Sequence, residues 1–155
     1  MNAHNLEYVG FWARFGASII DGIIIMVVTF PPLIGIYGWA YLDPDKPFLA
    51  GPADFAISWV FPAVATLLFW SYRQATPGKM AISARIVDAQ TGRPASFGQL
   101  VTRYLTYIIS MLPLFLGFIW AGFDPRKQAW HDKIAGTVVI RPSVRGPEPV
   151  RFDRA

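Results

Sequence analysis

The sequence predicts an all-α integral membrane protein with two full transmembrane helices, a third proline-broken apolar segment and a small cytoplasmic β element. Of its 155 residues, 54% are hydrophobic and only 15% are charged, against about 25% charged in an ordinary soluble domain. The charged residues avoid residues 22–42, 55–72 and 104–123. Each of these runs is close to the roughly 20 residues that cross a bilayer. The pattern excludes a soluble globular protein.

The first apolar segment covers residues 11–42. We expect its helix to run from about Phe11 to Phe30, because Pro31 and Pro32 remove two backbone donors. Twenty residues at about 1.5 Å each cross one hydrocarbon thickness. Asp21 then lies near the middle of the membrane and Arg14 at its cytoplasmic end. Because Asp21 interrupts the run, we expect a retained first span and not a cleaved signal peptide.

The second apolar segment, residues 55–72, follows an acidic stretch, residues 43–54, that we expect to be an external loop. Trp59 and Trp70 lie toward the two ends of this segment, as expected for residues at the membrane interfaces. Pro62 is expected to kink the helix.

Residues 73–103 contain five Arg and Lys against Asp88 alone. By the positive-inside rule this loop is cytoplasmic, and so is the N-terminus. Within the loop, residues 76–79 predict a turn and residues 82–89 a strand. Ser96 is predicted to be the N-cap of a helix that leads into the third apolar segment.

The third apolar segment, residues 104–123, allows two interpretations. A single crossing would leave the basic residues that follow outside the cell, against the positive-inside rule. Pro113 and Gly117 near its centre favour a re-entrant hairpin instead. A short strand predicted at residues 136–140 could pair with residues 82–88 only if both lie on one side, which also favours the hairpin. The predicted membrane domain is residues 1–141, followed by a flexible cytoplasmic tail at 142–155.

Arg14 and Asp21 are seven positions apart, which is nearly two helical turns, so both point the same way about 10 Å apart. They are too far apart to pair with each other. Small residues lie on or beside the same face and allow another element to approach closely. These residues are Gly10, Ala13, Ala17, Ser18 and Gly22.

Two interpretations of Asp21 remain open, because a carboxylate within the membrane is costly unless it is neutralised, paired or hydrated. In the functional interpretation, Asp21 binds a cation or a proton. In the structural interpretation, it is the fixed partner of Arg73, Arg103 or an arginine of another subunit.

The adjacent pair His131 and Asp132 could belong to a metal site or a proton relay. We favour a capping or salt-bridging role for Asp132, because a metal site needs about four ligands. The chain has no cysteine, and its residues show no phosphate-binding fingerprint and no plausible serine–histidine–acid arrangement. We therefore expect no metal, no cofactor, no enzymatic activity and no binding to nucleic acid.

Three stretches resemble the RDD family of small bacterial membrane proteins, which is named for one arginine and two aspartates. The stretches are YVGFWARFGASIID at residues 8–21, TPGKMAISARIVD at 76–88 and FDPRKQAWHDKIAGTVV at 123–139. The resemblance makes Arg14 the family arginine, Asp21 the first aspartate and Asp132 the second. It implies a bacterial membrane location. For the family, transport has been proposed, and cation/proton exchange is attributed to some members.

Our first hypothesis is a small transporter or ion-handling protein of the bacterial inner membrane. Asp21 would bind the coupling cation or proton, Arg14 would set its electrostatics, and Asp132 with Arg103 would anchor the cytoplasmic cap. Two or three spans cannot easily enclose a hydrated pathway, so this hypothesis requires a homo-oligomer or another membrane protein. The rival is a non-catalytic membrane scaffold whose charges hold helices together. In both, the basic loops lie beside anionic lipid headgroups.

Overall fold

The computed structural model of the protein describes residues 5–143. Eight α-helices and three β-strands follow one another along this part of the chain, with short 3₁₀ and π turns between them. The helices are α1 (Phe11–Tyr37), α2 (Pro52–Phe55), α3 (Phe61–Arg73), α4 (Pro77–Ala81), α5 (Phe97–Leu105), α6 (Tyr107–Met111), α7 (Leu116–Ile119) and α8 (Trp130–Ala135). The strands are β1 (Leu6–Tyr8), β2 (Arg85–Asp88) and β3 (Thr137–Pro142).

Helix α1 is longer than the sequence predicted. Pro31 and Pro32 lie inside it, so the expected end at Phe30 is wrong. Each proline removes one backbone donor, but the apolar sequence around the pair continues the helix, which membrane helices tolerate. The helix ends at Gly38, whose φ of 71° only glycine adopts easily and whose N–H donates to the carbonyl of Ile34 over 2.8 Å.

The second long helix joins α2, a π turn at Ala56–Val60 and α3 into one apolar helix, Pro52–Arg73. It therefore starts three residues before the predicted segment. Asp54, in the acidic stretch expected to be an external loop, is only 2% exposed. Its carboxylate accepts hydrogen bonds from the Tyr41 and Ser58 hydroxyls, each at 2.7 Å, and from the Ala50 N–H at 2.9 Å. These donors satisfy the charge, and Asp54 thus ties the end of the loop to the start of the helix.

The third apolar segment consists of two helical halves that meet at a bend, and we call this bent pair the hairpin. Ser96 caps α5 with a reciprocal capping box with Gln99, as the sequence predicted. Between the two halves, Phe97–Met111 and Leu116–Gly122, the direction changes by 114°, and Leu114 and Phe115 take left-handed conformations. Gly117 permits the two halves to meet, because a Cβ there would lie 2.6 Å from the Cα of Ser110.

A three-stranded antiparallel sheet, with the order β1-β3-β2, gathers distant parts of the chain. The expected pairing of the two later strands is confirmed, with Ile86 opposite Val139, although β2 is shorter than predicted. Strand β1 was not predicted, and residues 76–79 begin helix α4 where only a turn was expected. Pro142, assigned to the flexible tail, belongs to β3; residues 144–155 lie outside the described residues.

The sheet holds the two ends of the third segment close together. Because β2 precedes it and β3 follows it, both of its ends return to the same sheet, beside β1 at the start of α1. Helices Phe11–Tyr37 and Pro52–Arg73 are long and apolar enough to cross a membrane. Only 11% of the most apolar stretch of each is buried inside the protein, so most of their apolar side chains face outward.

Candidate functional site

Arg14 is held at three points by elements far apart in the chain. Its Nε donates to the carbonyl of Val9 over 2.7 Å, and one terminal nitrogen donates to the carbonyl of Lys127, also over 2.7 Å. The other terminal nitrogen forms an ion pair and hydrogen bond with Asp132. The planar guanidinium fork thus connects the first turn of α1 to the start of α8.

Asp132 forms ion pairs with two arginines. It is fully buried at the third position of α8, where its carboxylate also accepts the N–H of Ala129 over 3.0 Å. The second ion pair is with Arg103 on α5. Burial alone would raise the pKa of Asp132, but the guanidinium groups of Arg103 and Arg14 hold that pKa well below its usual range. The carboxylate is therefore a permanent anion between two permanent cations, and we call this set the Arg14–Asp132–Arg103 network.

Arg103 completes the network from within α5. It is 1% exposed, donates to the Thr137 hydroxyl over 3.0 Å and places its guanidinium 5.3 Å from the centre of the Trp70 ring. Its Nε is buried without a hydrogen-bond partner in the described part of the chain. Through Arg103 the network joins α5, β3 and the end of the second long helix.

His131 lies beside the network and contacts Ser110 on α6. The Ser110 Oγ is 3.0 Å from His131 Nδ1 and accepts the His131 backbone N–H over 3.2 Å. Burial, opposed by Asp132, lowers the pKa of His131 well below its ordinary value. The imidazole is accordingly neutral at physiological pH.

The structure therefore brings Ser110, His131 and Asp132 together, which the sequence analysis did not foresee. His131 Nε2 lies 3.7 Å from an Asp132 oxygen. The arrangement does not present a nucleophile, because Ser110 is fully buried and Gly117 packs directly against it. In this geometry the serine connects the hairpin to α8.

Asp21 binds a different element from Arg14, although both lie on one face of α1. Its two carboxylate oxygens accept the Thr76 hydroxyl over 2.6 Å and the Gly78 N–H over 2.7 Å. Asp21 thereby satisfies the N-terminus of α4. Among the described residues it pairs with neither of the arginines considered from the sequence, since Arg103 binds Asp132 and Arg73 is exposed.

The small-residue face of α1 accounts for this contact. Gly78 of α4 packs against Ala17 so closely that a Cβ on Gly78 would lie 2.0 Å from the Ala17 carbonyl oxygen. The close approach expected at this face is present, and the partner is α4. Asp21 is then within reach of the α4 backbone.

Lys79 is a further residue of this site that the sequence analysis missed. It is 7% exposed, and in the described part of the chain its ammonium has one hydrogen-bond contact, to the Thr76 hydroxyl at 3.5 Å. The Trp70 ring lies 5.9 Å away. Burial lowers the pKa of Lys79 from its ordinary value. Among the basic residues of the loop, only the adjoining Gly78 distinguishes Lys79 as a position of close packing.

A cavity of about 450 Å³ adjoins the network. Its lining includes Arg14, Lys79 and Arg103, and apolar side chains of α1 and the hairpin make up most of the remainder. The residues that line this cavity include no Asp or Glu. Elsewhere in residues 5–143, no group of three or more His, Asp or Glu side chains is placed to hold a metal ion.

Two long apolar helices, a bent apolar hairpin and a buried arginine–aspartate network are features of a small helical membrane protein. Comparison with known families is specific: residues 8–136 match the RDD family. The chain belongs to the RDD family, and the resemblance noted in its sequence is confirmed.

Three individual relatives illustrate the similarity. An uncharacterized protein of Rickettsia prowazekii is 44% identical over 75 residues, which cover 48% of this chain and 41% of that protein. The uncharacterized protein YxaI of Bacillus subtilis is 31% identical over 84% of this chain and 95% of its own length. The uncharacterized membrane protein YteJ of the same species is 28% identical over 86% of this chain and 80% of its own. No solved structure matches.

Proposed function

We propose that the protein is a non-catalytic assembly protein of the bacterial inner membrane, in which the family charges hold the first helix to a cytoplasmic cap. The cap consists of the sheet with α4 and α8. The Arg14–Asp132–Arg103 network carries this proposal, because Asp132 pairs with both arginines and the connected elements come from both ends of the chain. Breaking a buried pair of this kind is strongly destabilising.

The outward apolar faces of the long helices supply the surface for assembly. Val27 on α1 is 66% exposed, and the neighbouring apolar residues on this helix are similarly open. Lipid covers part of this surface, and a second copy or another membrane protein covers the rest. The N-terminus is cytoplasmic in this proposal, because the basic loop of residues 73–103 lies on the same side as β1.

Site-specific crosslinking tests the assembly. Because the chain has no cysteine, single-cysteine variants can be made without removing native thiols. Val27→Cys in native membranes is expected to form crosslinked species, either dimers or adducts with one partner. Leu33→Cys, at a position that is 1% exposed, is the matched control and should not crosslink. If a scan of the exposed α1 positions gave only monomers, the assembly role would be rejected.

A second candidate function is ion handling at Asp21. The observation that favours it is the hydrogen-bonded chain from Lys79 through Thr76 to Asp21, which links a buried amine to a carboxylate on the first long helix. Such a chain could carry a proton or respond to a cation, as exchange in the family would require.

Asp21→Asn separates the two functions in reconstituted vesicles. Ion handling predicts a folded, assembled variant that has lost proton or cation flux. The assembly role predicts a weakened α1–α4 contact, lower stability in detergent and the same flux as vesicles that contain no protein. Thr76→Val removes the hydroxyl between Lys79 and Asp21. Under either function, it should therefore give the same result as Asp21→Asn.

A further inference from the structure

The 450 Å³ cavity beside the Arg14–Asp132–Arg103 network combines an unbalanced positive charge with apolar walls. Three cations line it, and its lining contains no carboxylate. Asp132, behind the lining, neutralises one arginine equivalent, and Asp21 is bonded to Thr76 and the α4 backbone. Even when both aspartates are counted against the three cations, one positive charge remains.

The Lys79 ammonium is not saturated with hydrogen bonds. Within residues 5–143, its only hydrogen-bond contact is the long one to Thr76. A buried ammonium that lacks strong partners is costly, and an anion in the cavity would offset that cost. Phosphate oxygens are suitable acceptors, because they match both the point charge of lysine and the fork of arginine.

The walls and the opening of the cavity indicate which chemical groups the ligand carries besides its anionic group. Phe118 forms part of the inner wall, and the rim includes Phe15, Met111 and Phe115, which are 50%, 46% and 58% exposed. The cavity thus opens through apolar side chains on the flank of α1. A ligand enters from the apolar surface of the protein, and its volume lies within the roughly 300–1,000 Å³ typical of small-molecule sites.

We propose that this cavity binds one anionic phospholipid, with the phosphate against Lys79 and Arg14 and the beginning of an acyl chain against the hairpin. The site goes beyond the assembly role and does not depend on it. The bound lipid supplies the negative charge that the cationic wall lacks. It also fills the gap between α1 and the hairpin, so its occupancy should stabilise the contact between these two elements.

Native mass spectrometry of the delipidated full-length protein tests the proposal. Phosphatidylglycerol and phosphatidylcholine with identical acyl chains are added in separate titrations, and inorganic phosphate is added as a competitor. We expect one phosphatidylglycerol to bind at least tenfold more tightly than phosphatidylcholine. Millimolar phosphate should not displace it, because the apolar chain contributes to binding. Equal affinity for the two lipids, or displacement by phosphate alone, would overturn the assignment to a phospholipid.

Matched variants locate the lipid. Lys79→Met removes the charge with little change in volume and should weaken phosphatidylglycerol binding at least tenfold, whereas Lys79→Arg should retain it. Lys46→Met, which makes the same change in the loop after α1, should bind normally. Met111→Trp narrows the cavity and should reduce binding, while Met26→Trp on the exposed face of α1 should not. Wild-type affinity in both Lys79→Met and Met111→Trp would refute this site. The thermal transition of each variant checks that it is folded.

Discussion

Arg14 and Asp132 are separated by 118 positions in the chain, yet their side chains form a buried ion pair. Removing Arg14 leaves the Asp132 carboxylate with Arg103 alone and removes the donor to the carbonyls of Val9 and Lys127. We therefore expect Arg14→Gln to destabilise the protein by about 1–3 kcal/mol, measured by thermal unfolding in detergent. Arg73→Gln, at an exposed arginine, is the control and should change stability by no more than about 0.5 kcal/mol. If Arg14→Gln lost no more stability than Arg73→Gln, the Arg14–Asp132 pair would contribute little to the stability of the protein.

Gly78 is expected to be intolerant of any side chain. A Cβ there would overlap the Ala17 carbonyl oxygen, which is backbone and cannot move aside. Gly78→Ala should separate α4 from α1, break the Asp21 hydrogen bonds and lower Tm by more than about 5 °C, the shift expected for a loss of about 2 kcal/mol in a chain of this length. Gly98→Ala is the control, because nothing lies within 4 Å of its Cβ and alanine favours the helix. A normal Tm for Gly78→Ala would contradict the close α1–α4 contact.

The family residues show what the sequence could predict and what it could not. Helical periodicity placed Arg14 and Asp21 on one face correctly, since that geometry is local. It could not identify their partners, because Asp132 and Gly78 arrive through tertiary packing. The pairing of β2 with β3 was predictable from two short β-branched stretches.

Other features had no local signal strong enough to predict them. Pro31 and Pro32 normally end a helix, and only the continuing apolar surface of α1 overrides that rule. The three residues of β1 are too few to show a period. The burial of Lys79 and of Asp54 depends on tertiary packing, so the composition of their loops did not predict it.

The stability of the protein should fall in mildly acidic solution because of His131. Its pKa in the folded protein lies well below the ordinary value, chiefly because of burial. As the pH falls below about 6.5, the unfolded chain binds a proton at this position before the folded protein does. The free energy of unfolding should therefore decrease from pH 7 to pH 5, as measured by unfolding at each pH.

His131→Gln is the variant that assigns this effect. Glutamine does not titrate, so it should flatten the stability profile between pH 7 and pH 5 while it lowers stability at every pH through lost packing with Tyr107. An unchanged slope in the variant would assign the acid sensitivity to other groups. Asp132 contributes in a separate range, since its lowered pKa gives stability that is lost only below about pH 4.

The sheet predicts which parts of the chain are accessible from each side of the membrane. Gln90 in the turn after β2 and Ile134 on α8 flank the third segment, and both are exposed on the side of the sheet. Asp45 lies in the exposed loop between the two long helices. With single cysteines and a membrane-impermeant thiol reagent, Gln90→Cys and Ile134→Cys should be labelled only in inverted vesicles. Asp45→Cys should be labelled only in intact cells. If Ile134→Cys were labelled in intact cells together with Asp45→Cys, the third segment would cross the membrane once and the β2–β3 pairing could not form.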